Sequence, residues 1–343
     1  MKAISHILLL LALLLTACQG SDETAPSAPR ALTFRVQTRG PQAAPGAPDD
    51  ATQFTRLYVA ERLQEHDADH LHCPAEWRHA LSGGTYSLTD LPGLWYKFAF
   101  VCVPRWAGGG GEALLTEEAP AEATCDYNKL LIDYNAAMQY QQTNPSAATV
   151  QDMNIYRRVI DRWLAADAAN SEDVELTRMT GELDIDMGIP ADQFPHPVQT
   201  ITLTLRAPSA RAYIHDQAAD RVIPAPQASP ADRVYTLDFS ALSDEARAAA
   251  MKQRQSFRLC LLPQELRGAV TVTFLGTDEA RTLAIGPDTE AGETAVQVRK
   301  NRITTVLYNG LRPTEFEVRY AGFDTGDDNY VDVDDDVWND VTP

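Results

Sequence analysis

The sequence predicts an all-β protein built as β-sandwiches, with a few short helices in its N-terminal half. Three observations predict it. From Leu32 towards the C terminus, short runs alternate apolar and polar residues with the period of two that a half-buried strand requires. Turn chemistry rich in Gly, Pro, Asn and Asp separates them. Only three stretches carry apolar residues at helical spacing, against more than ten that read as strands. At 343 residues and 44% hydrophobic, the chain can build two cores. The best internal boundary falls near Asn170–Val174, where helical patterning gives way to continuous strand patterning. The expected division is residues 1–17, 18–31, an N-terminal sandwich over 32–173 with a helical insertion, and a C-terminal sandwich over 174–343 with an acidic end.

In order, Leu32–Thr38 places Leu32, Phe34 and Val36 on one face and Thr33, Arg35 and Gln37 on the other. Arg56–Arg62 is a second strand. Thr85–Val103 reads strand, turn, strand, with Asp90-Leu91-Pro92-Gly93 as the turn: Pro presets φ and Gly supplies a positive one. In Trp95–Val103, Tyr96, Phe98, Phe100 and Cys102 oppose Ala99, Val101 and Val103, so both faces are apolar and the strand is expected to be central. Trp106–Thr124, with four consecutive glycines at Gly108–Gly111, reads as a flexible loop. It lacks the Lys-Ser/Thr of a phosphate-binding loop. Asn128–Gln142 and Asn154–Ala165 read as helices with core-facing stripes. Leu176–Met187 reads as one long strand, and Val198–Arg206 follows with Ile201, Leu203 and Leu205 on one face. Further strands are expected at Arg233–Phe239, Phe257–Leu262, Ala269–Leu275, Arg281–Ile285, Ala295–Arg299, Arg302–Tyr308 and Phe316–Tyr320. One helix interrupts them over Ala246–Gln253, with Ser243 as N-cap and Asp244 and Glu245 in its first turn.

The N terminus carries an address. Lys2 precedes an unbroken apolar run at residues 7–15, too short for the ~20 residues that span a bilayer but right for a secretory signal peptide. Leu15-Thr16-Ala17-Cys18 resembles the bacterial lipobox, in which the cysteine thiol receives diacylglycerol and becomes the mature N terminus. Each buried CH₂ contributes ~0.8 kcal/mol, so several acyl chains, palmitate among them, hold a domain on a membrane. Gln19–Glu23 is polar and acidic and looks like the export tag of surface lipoproteins in Bacteroidetes. The Pro/Ala/Gly-rich stretches at 24–30 and 40–50 read as linkers. The formal net charge is −19, and removal of residues 1–17, which contain Lys2 and no acidic residue, makes it −20. Such a chain repels nucleic acid and anionic membrane, so membrane contact has to come from lipid. Eight aspartates lie between Asp324 and Asp340.

Four cysteines follow Cys18, and an even number in an exported chain permits disulfides in three pairings. Cys102 and Cys260 sit in apolar strand patterns and read as buried thiols. Cys73 and Cys125, in polar surroundings, are favoured as a pair. His66, His70, His72 and Cys73 gather donor atoms, with His66 and His70 four apart, but no HExxH accompanies them, and a solvated loop is preferred to a metal site. Asp324–Asp336 offers oxygen ligands without a calcium-loop pattern. Trp77, Trp106 and Trp338 could stack on sugar rings. Trp95 and Trp163 lie in core patterns. There is no GxSxG and no assembled nucleophile–base set. No enzyme, cofactor or resident metal is expected.

The lipobox, Asp90–Gly93 leading into Tyr96-Lys97-Phe98, Leu176-Thr177-Arg178 opening a strand, and Asn301-Arg302-Ile303-Thr304-Thr305-Val306 occur in this order. Together they resemble the fimbrillin-associated anchor lipoproteins of Bacteroidales, the FimB- and Mfa-type subunits of outer-membrane pili. The resemblance covers most of the mature chain and implies two transthyretin-like β-sandwiches. It implies a surface lipoprotein of the outer membrane, fixed through Cys18, that anchors or assembles a fimbrium by strand-mediated contact with pilin subunits. It transfers no catalytic residue. The Gly108–Gly111 loop and the Asp-rich end depart from the pattern. Leu32–Thr38 and Phe316–Val341 are the expected pairing segments. In related stalk subunits an N-terminal strand is released by cleavage after an Arg, and Arg39 before Gly40 is the corresponding position, read here as uncut. The other readings are a lipid-anchored glycan- or calcium-dependent binding protein, and a stalk or tip subunit.

Overall fold

A computed structural model describes residues 32–38, 46–62, 71–89, 91, 95–118, 124–143, 153–164, 171–215, 224–225, 227, 230–285, 288–289, 292–293, 296–311, 316–322 and 331–332. The first half carries β1 (Leu32–Thr38), β2 (Gln53–Arg62), β3 (His72–Pro74), β4 (Arg78–Leu81), β5 (Thr85–Leu88), β6 (Trp95–Trp106), β7 (Gly109–Gly110), β8 (Leu115–Glu117), β9 (Thr124–Asp126), β10 (Leu130–Asp133), helix α1 (Asn135–Thr143), β11 (Tyr156–Trp163) and β12 (Ser171–Arg178). The second half carries β13 (Gly181–Met187), β14 (Val198–Leu205), β15 (Arg211–Tyr213), β16 (Arg233–Asp238), helix α2 (Asp244–Met251), β17 (Gln255–Leu261), β18 (Gln264–Leu266), β19 (Gly268–Phe274) and β20 (Ala280–Ala284). It ends with β21 (Asp288–Thr289), β22 (Gly292–Glu293), β23 (Val296–Val298), β24 (Arg302–Tyr308), β25 (Phe316–Gly322) and β26 (Val331–Asp332). The protein is all-β, as its alternation requires.

One sheet runs β5-β1-β12-β11-β6-β2-β3-β9, with β4 also on β2 and β7 on β6. β11 and β12 share only two register pairs, and the sheet folds back there: Phe34 of β1 packs its ring 5.1 Å from Phe98 and 4.9 Å from Phe100 of β6. β6 is central, as expected, between β2 and β11. Tyr96, Phe98, Phe100 and Cys102 enter one core with Leu32, Phe34, Val36, Val174 and Leu176. Ala99, Val101 and Val103 enter another with Leu130, Ile132, Tyr134, Ala137 and Met138.

That second core continues without a break into a sandwich of two sheets, β17-β13-β24-β25-β26 and β16-β14-β19-β20. Leu183, Ile185, Phe257, Leu259 and Val306 face inward from one sheet, and Ile201, Leu203, Leu205, Val270, Val272 and Phe274 from the other. Helix α2 starts where expected: the Ser243 hydroxyl accepts from Ala246 N at 3.2 Å.

Four expectations change. The expected helix Asn154–Ala165 is replaced by strand β11, Tyr156–Trp163. Val159 and Ile160 look helical because Arg157 interrupts the alternation, yet Arg157 is itself buried and donates to the carbonyls of Tyr213, Ile214 and His215. Asn128–Gln142 is α-helical only from Asn135, after a 3₁₀ turn over Tyr127–Lys129. Its apolar start, Leu130-Leu131-Ile132, is strand β10, which pairs β8 and β15. Leu176–Met187 is two strands in two sheets. The ladder breaks at Met179–Thr180, where Met179 N donates to Ile155 O at 2.7 Å and Thr180 O accepts from Asn301 N at 3.0 Å. Finally, Trp106–Leu115 is ordered, not a loop: β6 turns into β7, and a 3₁₀ turn over Gly111–Leu114 leads into β8. Glycine is needed at position 110, where φ is 75° and a Cβ would fall 2.5 Å from the Trp106 ring.

Candidate functional site: the N-terminal strand and the sheet edges

The expected lipidation residue, Cys18, lies outside the described residues, as do the 18–31 tether, Arg39, His66, His70, Trp338 and most of the acidic end. What the structure places is the strand that the tether feeds. β1 lies inside its sheet. It runs parallel to β12 over Thr33–Thr38 and antiparallel to β5 over Leu32–Arg35. Its next turn is tied as well: Val36 N donates to Gly84 O at 2.6 Å, and Thr38 and Gly46 exchange backbone bonds at 2.8 and 3.1 Å. Leu32, Phe34 and Val36 are buried. At ~1.5–3 kcal/mol each, their burial contributes several kcal/mol, an upper estimate. Outward, Thr33 meets Ser87 at 2.9 Å and Arg35 meets Asp173 at 3.2 Å, both exposed. Sequence reasoning offered this segment as a pairing strand for a partner. The structure pairs it on both sides within the chain.

A partner strand needs an edge instead. On one side of the C-terminal sandwich, helix α1 closes both sheets. Gln141 is buried, and its amide acts as a strand would: Nε2 donates to Cys260 O at 3.0 Å, and Oε1 accepts from Cys260 N at 2.7 Å. Its neighbour Gln142 donates Nε2 to Val234 O of β16 at 3.0 Å. These glutamines read only as helix residues in the sequence, because what they cap is 92 and 119 positions away.

The opposite side is different. β20 pairs only with β19 among the described strands, and Ala280, Arg281 and Thr282 are exposed. The bond from Ile285 N to Gly268 O at 3.3 Å fixes the phase of this ladder. With alternation, Leu283 and Arg281 turn their amides inward to β19, while Thr282 and Ala280 turn theirs outward. Next to it, β25 pairs β24 on one flank and the two-residue β26 on the other. Phe316–Gly322, the first described part of the other expected pairing segment, Phe316–Val341, therefore forms part of this side.

On the outer face of β13, Asp184 and Asp186 are buried and face Arg258 at 3.5 Å and Arg254 respectively. Burial raises the carboxyl pKa of Asp184, opposed by Arg258, and burial likewise raises that of Glu182. Among the described residues no group of three or more His, Cys, Asp or Glu could hold a metal. Trp77 packs against Tyr96 and Trp106 stacks on Tyr140 at 5.1 Å, so both rings serve internal packing. Cys102 and Cys260 are buried thiols, as expected. Burial pushes them up to about 12 and about 11. Cys73 is buried rather than set in the polar surroundings its neighbours suggest.

No family model matches the sequence, and no curated protein matches it at a significant level. Solved structures do show similarity. A DUF1812 protein of Bacteroides thetaiotaomicron VPI-5482 shares 10% identity over 84% of this chain and 95% of its own, with a TM-score of 0.48. A fimbrial assembly protein of Parabacteroides distasonis ATCC 8503 shares 12% over 86% and 96%, with a TM-score of 0.38. The tip fimbrial protein Mfa3 of Porphyromonas gingivalis shares 11% over 85% and 98%, with a TM-score of 0.38. Among the described residues no helix is long and apolar enough to cross a membrane.

Proposed function

We propose that this protein is a surface lipoprotein, held in the outer membrane by acyl chains on Cys18, that anchors or assembles a fimbrium by backbone contact with pilin subunits. The observation that carries the reading is the setting of β1. A load applied at the lipid reaches the fold through residue 32, and pulling a strand along its own axis strains its bonds to both neighbours together rather than one at a time. β1 has such neighbours on both flanks, together with three buried apolar anchors. The tether, residues 19–31, spans at most ~3.5 Å per residue, so the body stays close to the membrane. β20, which pairs only β19 among the described strands, supplies the second requirement, an edge whose outward backbone groups at Ala280 and Thr282 can take a partner strand.

The test is Cys18→Ala. The substituted protein is expected to leave the membrane fraction while melting at the parent temperature. Retention on membranes through a high-salt wash overturns the lipid anchor. Sequencing the surface form then separates an anchor from a stalk subunit: an N terminus at modified Cys18 supports the anchor, and one near Gly40 overturns it.

A further inference from the structure

We propose that Cys73 and Cys125 form a disulfide that pins β9, the outermost strand of the N-terminal sheet. β3 and β9 are antiparallel, and their register sets Cys73 directly opposite Cys125, between the His72–Asp126 and Pro74–Thr124 pairs. Residues directly opposed in an antiparallel pair share a face, with Cα atoms ~4.5–5.5 Å apart. A disulfide bridges Cα separations of ~4.4–6.8 Å. The two other cysteines beyond Cys18 are placed elsewhere. Cys102 on β6 stands opposite Thr55 and Tyr156. Cys260 on β17 stands opposite Glu182 and directs Sγ to Met153 O at 3.3 Å. Of the three pairings that four cysteines allow, the register offers this one and leaves Cys102 and Cys260 in separate cores. The link also has mechanical sense. β3 joins β2 at a single register pair, Glu61–His72, and among the described strands β9 pairs only β3. Three register pairs alone hold a strand weakly, whereas a covalent bridge across the middle pair ties residues 73–125 into a ring.

The inference rests on the export reading, since the bond persists only in an oxidising compartment. Its formation balances as thiol–disulfide exchange with a disulfide-donor protein. One thiolate attacks the donor disulfide to give a mixed disulfide, and the second displaces the donor sulfur. The donor departs as a dithiol carrying two electrons and two protons.

The experiment uses the full chain isolated from its host, with free thiols alkylated before lysis and digestion by trypsin without reductant. Arg62, Arg78, Arg105 and Lys129 place the two cysteines on separate peptides. The expected product joins these peptides with the loss of two hydrogens, while Cys102 and Cys260 are alkylated only after unfolding. In parallel, the chain made in a reducing cytosol is incubated with oxidised glutathione. A link that forms there but not in the host upholds the pairing and overturns export, whereas no link in either setting overturns the pairing. Cys73→Ser and Cys125→Ser are each expected to lower Tm by about 10 °C, and the double substitution by no more than either. Additive losses overturn the bridge.

Discussion

Asp184 shows how a single residue on a plainly alternating strand can carry more than its pattern announces. The alternation of β13 puts Glu182, Asp184 and Asp186 opposite Leu183, Ile185 and Met187, and this was legible in the sequence. That Asp184 would be buried was not, because its cover comes from other parts of the chain. Among the described residues its Oδ1 has no hydrogen-bond partner, and Arg258 lies 3.5 Å from Oδ2. Burial raises its pKa above the unfolded value, with Arg258 pulling the other way. The native state therefore holds the proton more tightly than the unfolded chain. The stability from that preference is full below the ordinary carboxylate range and lost as pH rises through the raised pKa. Asp184→Asn fixes the neutral form. It is expected to raise the melting temperature at pH 7 by a few degrees, with the gain shrinking as pH falls through the raised pKa and gone below the ordinary carboxylate range. Thermal melts of both proteins across this range check the sign, and a lower Tm at pH 7 would show that the Arg258 attraction outweighs the burial.

At the level of elements, strands with clean period two were legible to within a few residues: Leu32–Thr38 and Arg302–Tyr308 have the bounds expected. The misread elements share a cause. β11 carries a buried arginine, and β10 packs three apolar residues in a row against a following helix, so neither shows its true period. The glycines at 108–111 resemble a linker until Trp106 is seen lying over them. Helix α1 is the least legible element, since its purpose lies in distant strands. Gln141 satisfies both backbone groups of Cys260, and an apolar replacement of similar size leaves them buried and unpaired. Gln141→Leu is therefore expected to cost about 1–3 kcal/mol in chemical denaturation. Exchange of the Cys260 amide by local opening is expected to quicken by roughly tenfold or more. Unchanged exchange at that amide would mean that β17 is closed by something other than the helix.

For the molecule as a whole, the consequence is asymmetry. Helix α1 seals one side of the C-terminal sandwich through Gln141 and Gln142, while the other side presents β20 beside β25 and β26. Strand β1 is held in its sheet by neighbours on both flanks. A partner strand arriving at β20 would find the outward amides of Ala280 and Thr282, and these are the groups to remove. Proline at position 282 deletes an outward donor and places a ring where the incoming strand would lie. It spares the amides of Arg281 and Leu283, which the ladder phase turns towards β19. Edge strands accept proline on this outward side, whereas a central strand does not. Thr282→Pro is thus expected to keep the fold, with Tm within a few degrees of the parent, and to weaken capture of fimbrial subunits by at least tenfold. Loss of both Tm and capture would reflect unfolding, and proline at Ala280, the other outward position, then repeats the test nearer the strand end. Undiminished capture by a folded proline variant would remove β20 as the docking edge and turn attention to β25 and β26.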